Sequence, residues 1–532
     1  MKMRLPQPQN GLAMTTIMKI EVYDTTLRDG SQGERVSFSL EDKFKIVRKL
    51  DDFGFDYIEC GWPGSNPKDE EFFQKSRKLS LKKVKIAAFG STCRAGAPAS
   101  NDKNLQKLLE AETEIITLFG KSWDLHVKKV LRISPSENLD LISDSIEYLH
   151  KQGRRVFFDA EHFFDGYREN PEYALKSVQA AEEAGAERIV LCDTNGGFLP
   201  EQITAAFAVV KKKVKTPLGI HTHNDGGLAV ANTLAAVTAG AIQIQGTVNG
   251  LGERCGNADL LVIIPTLQLK MGYQCLEPEQ LKHISGLSRY VYELVNLVPV
   301  NNQPFVGISA FAHKGGVHVD AVRKETKSYE HIDPALVGNE RRILVSELAG
   351  SATILFKIAR FGIKQKGPET KKILERLTKL EKDGYQFEAA DGSFQLLMAE
   401  ELGKRPKFFH LKEFRVIVER KTGLIVSEAA VKVKVGDKIE HTIAEGDGPV
   451  NALDAALRKA LIKFYPALAE MRLTDYKVRV LNPEAATAAK VRVLIESSDQ
   501  NESWGTVGLS ENIIEASLQA LTDSIDYKLM KG

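Results

Sequence analysis

The sequence has few cysteines, no long apolar run and almost no net charge, and each shortage removes a class of protein. Cys60, Cys93, Cys192, Cys255 and Cys275 make an odd count with no C-x-x-C pair. Neither a disulfide framework nor a thiolate zinc site is indicated, which fits a reducing cytoplasm. The longest apolar stretch, Leu260 to Leu269, is broken by Pro265 and is too short to span a bilayer. Lys plus Arg number 72 against 70 Asp plus Glu, a net charge of +2, so nothing electrostatic favours nucleic acid or a membrane as partner. Residues 1–17 hold Lys2 and Arg4 but no apolar core of signal-peptide length; they read as a disordered extension, or as a misassigned start, ahead of a first strand just after Met18.

What is present is alternation. Short apolar runs at Ile20–Asp24, Tyr57–Cys60, Lys85–Phe89, Ile115–Phe119, Arg155–Asp159, Arg188–Cys192, Leu218–Ile220 and Ala241–Gly246 are separated by helix-like stretches such as Leu40–Phe53 and Ala174–Ala184. Eight strands alternating with helices over about 250 residues predict a closed (β/α)8 TIM barrel rather than an open doubly wound sheet. Ser39, with Asp42 three residues on and Gly54 beyond, predicts both ends of the first helix, and Ser136 with Gly153 frames another.

The alternation stops after Gly272, which bounds a catalytic barrel at 18–280 and a mostly helical linker region at 281–409. Within the linker, the Lys- and Glu-rich stretch Thr370–Asp383 reads as a solvated helix or connector. Residues 410–532 carry an internal repeat, Phe414–Val418, Ala430–Val435 and Asn451–Leu457 against Tyr476–Val480, Val491–Ile495 and Asn512–Leu518. Each copy predicts strands followed by one amphipathic helix, together a pseudo-symmetric α+β sandwich. It carries no clustered catalytic side chains, so it reads as a dimerising or regulatory module.

Barrel chemistry gathers at the carboxyl ends of the strands. There this chain places Arg28 and Asp29, Asp159 and Glu161, Asp193 and Thr194, His221 and His223, and Glu253 through Asn257. Residues i and i+2 share a strand face, so His221 and His223 point the same way. A lone histidine would read as a hydrogen-bonded barrel residue; H-x-H ending a strand, with Asp29 facing it, reads as a divalent-metal site open to Mg, Mn, Zn or Co. Arg28, beside that site, either stabilises a developing oxyanion or forms a structural ion pair in the barrel mouth.

The segments D-T-T-L-R-D-G (24–30), H-T-H-N-D (221–225) and G-L-G-E-R-C-G-N-A (250–258) together resemble the isopropylmalate, homocitrate and citramalate synthases, in the barrel family that includes the hydroxymethylglutaryl-CoA lyases. Ala310–His318 looks like the linker subdomain of those synthases, and the repeat looks like their dimerising, feedback-sensing domain. The resemblance implies metal ligation by Asp29, His221, His223 and Asn257. It implies oxo-acid binding by Arg28, Gln32, Glu161 and Thr194, and catalytic roles for Arg28, Glu161, Glu253, His313 and Tyr329. The implied reaction condenses acetyl-CoA with a short 2-oxo acid and hydrolyses the thioester, in a cytoplasmic homodimer.

Glu59–Asp69, with Trp62 where isopropylmalate synthases carry phenylalanine, and Phe158–Gly166 look like the branch that takes pyruvate and feeds isoleucine synthesis, with isoleucine as effector. Asp159 departs from that branch, where an aromatic residue stands two places before the glutamate. The rivals are an isopropylmalate synthase, a carbon–carbon lyase of the same barrel family, and a non-catalytic amino-acid sensor. The linker and repeat argue against the lyase, and the intact Arg28, Asp29, His221, His223 and Glu253 argue against the sensor.

Overall fold

The computed structural model describes residues 18–314, 316–344, 368–387, 390–421, 424–481, 489–499 and 502–531. The expected extension at 1–17 lies outside the described residues. Two compact units divide the chain, one running to Phe311 with Ile332–Glu340 added, the other formed by Ala312–His331 and everything from Arg341 onward.

The first unit is a closed barrel of eight parallel strands: β1 (Glu21–Asp24), β2 (Tyr57–Glu59), β3 (Lys85–Ser91), β4 (Ile115–Lys121), β5 (Arg155–Glu161), β6 (Arg188–Asp193), β7 (Leu218–Thr222) and β8 (Gln243–Gly246). β1 pairs with both β2 and β8, which closes the ring. Alternation along each strand does two jobs. Outward residues such as Val22, Ile58, Ile116, Val156, Ile189, Ile220 and Ile244 are buried beneath the helices in one continuous core. Inward residues Tyr23, Tyr57, Ala87, Ile115 and Phe157 pack into a second, small cluster that fills the barrel. Above that plug the inward positions turn polar, and the site sits there.

The helix-end signals are largely those of the sequence. Ser39 and Asp42 exchange hydrogen bonds as a capping box, and Gly54 ends the helix Leu40–Phe53 in the left-handed region at φ 76°. The helix Pro135–Lys151 is capped by Ser134, not Ser136. Pro135 fits the first helical position, where no N–H is needed, and Ser134 Oγ accepts from the Glu137 N–H at 3.1 Å.

In the second unit, the stretch expected to be solvated is the helix Pro368–Asp383, and one face of it is buried. Ile373 and Leu377 are sealed against Phe387 and Phe394. The repeat is two antiparallel three-stranded sheets, His410–Lys421, Leu424–Val435 and Lys438–Gly446, then Arg472–Val480, Val491–Ser498 and Ser503–Ser510. The helices Pro449–Leu461 and Ile513–Lys531 follow them. The third strand of each copy was not evident in the sequence. The two copies meet through their helices, with Leu453 and Leu457 sharing one cluster with Leu521 and Ile525, so the centre of the module is helical rather than sheet on sheet.

Candidate active site and metal centre

His221 lies in register with Cys192 of β6 and Gln245 of β8, and His223, two residues on, forms an antiparallel bridge with Asn257. That bridge folds the segment after β8 back onto the end of β7. Asp29 arrives from the turn after β1. One ligand atom each from Asp29, His221 and His223 lies within 4.8 Å of the others, and all three residues are buried. His221 Nε2 is 3.2 Å from Asp29 Oδ2. Asn257 Nδ2 stands 2.9 Å from Asp29 Oδ2 and 3.3 Å from His221 Nε2.

Two buried atoms here, His223 Nδ1 and Asn257 Oδ1, have no hydrogen-bond partner. Such an atom costs roughly 1–3 kcal/mol. Two of them beside a carboxylate and a second imidazole form a donor set suited to a divalent cation. Turning the Asn257 amide over presents its oxygen to the same point. Gly252, at φ +159°, leaves room for that side chain, since a Cβ there would lie 2.1 Å from Asn257 Oδ1.

The local charges agree. Burial works against ionisation of Asp29, but Arg28 and then His221 outweigh it and hold the carboxyl well below the usual range. Burial, then the neighbouring His221, lowers His223 to about 3, which keeps its ring neutral with a lone pair to offer. His221 is raised: burial opposes the charged form, but the hydrogen bond and charge of Asp29 win. A cation bound beside Asp29 would take the place of that proton.

Arg28 is held on three sides. Its NH1 donates to Asp29 Oδ1 at 2.6 Å, its Nε to Glu59 Oε1 at 2.5 Å, and its guanidinium carbon lies 3.8 Å above the Phe89 ring. Glu59 in turn accepts from the Tyr23 hydroxyl at 2.7 Å. Burial raises the Glu59 carboxyl against the pull of Arg28, and burial with Glu59 raises Asp159 to about 7.

A cavity of about 250 Å³ opens beside these groups, and Gln32, Glu161, Thr194 and Glu253 line it with them. Glu161 is ion-paired to Lys121. Thr194 Oγ1 accepts from the His162 N–H at 2.9 Å. Arg254 reaches Glu253 at 3.2 Å, holds Asp225 with two bonds of 2.8 and 3.0 Å, and donates to the Thr194 carbonyl at 2.8 Å. Trp62, Phe89 and Phe119 form an aromatic wall, with Trp62 5.6 Å from Phe119 and the two phenylalanines stacked at 5.3 Å. The barrel therefore gathers Arg28, Asp29, Gln32, Glu161, Thr194, His221, His223, Glu253 and Asn257.

His313 and Tyr329 belong to the second unit. There His313 Nε2 is 3.1 Å from Glu330 Oε1, and Tyr329 stacks on His318 with ring centroids 4.2 Å apart. The sequence reading assigned no role to Glu59, Phe89, Phe119, Lys121, Gln245 or Arg254. The available signal was their place on the inward face of β2, β3, β4 and β8, or in the G-E-R segment already singled out.

The fold and this ring of polar groups define a (β/α)8-barrel enzyme with its chemistry at the carboxyl ends of the strands. Comparison with known proteins narrows the class. Residues 19–288 match the HMGL-like family, 305–384 the homocitrate synthase post-HMGL domain, and 388–529 the LeuA allosteric (dimerisation) domain. The (R)-citramalate synthase of Geobacter sulfurreducens is 56% identical over 96% of this chain and 98% of its own length. The 2-isopropylmalate synthase of Methanocaldococcus jannaschii is 33% identical over 96% of this chain and 95% of its own. The solved HMG-CoA lyase of Bacillus subtilis, 22% identical, covers 53% of this chain and 96% of its own with a TM-score of 0.46. The chain belongs to the (R)-citramalate synthase family, within the HMGL-like barrels.

Proposed function

We propose that the chain condenses acetyl-CoA with pyruvate and hydrolyses the resulting thioester, giving (R)-citramalate and CoA for isoleucine synthesis. The observation that carries this reading is the aromatic wall of Trp62, Phe89 and Phe119 beside Arg28 and the metal-ligating set. A cavity of about 250 Å³ walled by these rings suits a small 2-oxo acid. The likeness at 56% to a (R)-citramalate synthase, against 33% to a 2-isopropylmalate synthase, supports the same choice.

A divalent cation held by Asp29, His221, His223 and Asn257 would supply Lewis-acid polarisation of the oxo-acid ketone. Arg28 has donors beyond those given to Asp29 and Glu59, and they stabilise the alkoxide that forms as the enolate adds. Thr194 and Gln32 bind the oxo-acid carboxylate, and Glu161, with its charge countered by Lys121, orients the substrate. By the family resemblance, Glu253 helps remove the acetyl methyl proton, and the resemblance gives His313 a part in the same step. The Glu330 carboxylate against one nitrogen of His313 leaves the other as the base, an arrangement shared by oriented catalytic histidines. Tyr329 is a further catalytic residue on this reading.

The test is CoA release with pyruvate, 2-oxoisovalerate and 2-oxoglutarate side by side, before and after chelation. Pyruvate should give the largest kcat/KM, with chelation abolishing turnover and an added divalent ion restoring it. A preference for 2-oxoisovalerate would make the chain an isopropylmalate synthase instead.

A further inference from the structure

His221 can bind a cation through Nε2 only if its proton sits on Nδ1. That nitrogen faces Gln245 Oε1 at 2.9 Å on the neighbouring strand. A glutamine amide, however, can present either end. If it were turned over, its NH2 would donate to Nδ1 and drive the ring proton to Nε2, where the cation must go. What fixes the amide is on its far side: Gln245 Nε2 donates to Asp159 Oδ1 at 3.1 Å. When ionised, Asp159 only accepts, so the nitrogen then faces Asp159 and the oxygen faces His221. Gln245 is fully buried and Asp159 is 3% exposed, so water does not compete effectively for either bond.

We propose that Asp159 and Gln245 are positioning residues that set the tautomer of His221, so that its Nε2 lone pair faces Asp29 and Asn257. The relay gives Asp159, which has no ligand atom in the metal-binding set, a part in metal affinity. Outer partners of ligating histidines commonly contribute 10–100-fold. The inference rests on the metal reading of Asp29, His221 and His223.

Two measurements test it, and neither needs turnover. In wild-type protein loaded with Zn²⁺, which displaces the proton that Asp29 holds on Nε2, ring shifts of 15N-labelled histidine assigned by difference against His221→Ala should show the proton of His221 on Nδ1. A proton on Nε2 overturns the relay whatever the variants do. Mn²⁺ binding by calorimetry should then weaken about 10–100-fold in Asp159→Ala and Gln245→Leu. Thr117→Val, which removes a buried hydroxyl bonded to Tyr23 in the same barrel interior, should stay within about twofold of wild type. Unchanged affinity in the relay variants, or an equal loss in Thr117→Val, overturns the relay and leaves only general packing. Wild-type protein that binds no Mn²⁺ overturns the metal reading instead, so the two failures are distinguishable.

Discussion

Arg28 shows how one side chain is prepared for chemistry. Glu59, Asp29 and the Phe89 ring fix the guanidinium in orientation before any substrate arrives, so little reorganisation accompanies the reaction. A lysine at this position keeps the charge and loses the fork, and it cannot bond Glu59 and Asp29 while also serving an oxyanion. Arg28→Lys should therefore lower kcat about 10²–10³-fold, the range for removing an oxyanion donor, with a much smaller change in the KM for pyruvate. Steady-state kinetics decide it: a raised KM with kcat intact would make Arg28 a binding residue. At this scale the sequence was readable where a motif concentrates unusual residues. H-x-H and R-D ending strands announce themselves. Glu59 and Gln245 do not, because a single polar residue inside a strand has no partner visible until β2 faces the turn after β1 and β8 faces β7.

Elements were the more legible scale. Strand existence follows from apolar runs between helix signals, and all eight barrel strands coincide with such runs. The misses have physical causes. Ser134 outranks Ser136 as a cap because Pro135 is suited to the first helical turn. The strands Lys438–Gly446 and Ser503–Ser510 were hidden because the first turns Ile439 and Ile443 to solvent and Glu440, Thr442 and Ala444 inward, and the second contains two glycines. The turn after β1 offers a test of its own. Asp24 is fully buried and accepts from the Thr26 N–H at 3.0 Å and the Thr26 hydroxyl at 2.7 Å. Burial nonetheless dominates and raises its carboxyl to about 7. Its unfolded value is about 3.9, so the folded chain holds the proton more tightly. The stabilisation is complete below that value and is lost as pH rises through 7. Asp24→Asn cannot ionise, so its stability relative to wild type should rise by a few kcal/mol between pH 4 and 8. Denaturant melts of both proteins across that range measure it, and a constant difference would mean that Asp24 is already ionised at the low end.

At the scale of the whole molecule, the repeat is the part whose purpose lies outside chemistry. Each helix packs on its own sheet and the two helices meet, which leaves apolar side chains of the sheets facing solvent. On the edge strand His410–Lys421, Val418 is 55% exposed, and on the next strand Ile425 is 70% exposed. Exposed apolar residues on an open sheet call for a partner, and a second copy of the same chain is the symmetric solution. The match of residues 388–529 to an allosteric (dimerisation) domain points the same way. His313 and Tyr329 belong to the same compact unit as the repeat, so an effector that favours one arrangement of that unit bears on both residues. On the proposed function, isoleucine would be the end product and so the effector to test. Two results should follow for the intact protein. Val418→Lys should shift its sedimentation from dimer toward monomer, because a charge on the contact must be desolvated without a partner. Calorimetry should show isoleucine binding to the wild-type dimer with leucine weaker, and binding should diminish in Val418→Lys if the effector site depends on the paired copies. If neither amino acid binds the wild-type protein, the feedback reading fails and the repeat is a dimerisation device alone. If Val418→Lys remains a dimer that binds isoleucine as wild type does, the interface lies elsewhere on the module.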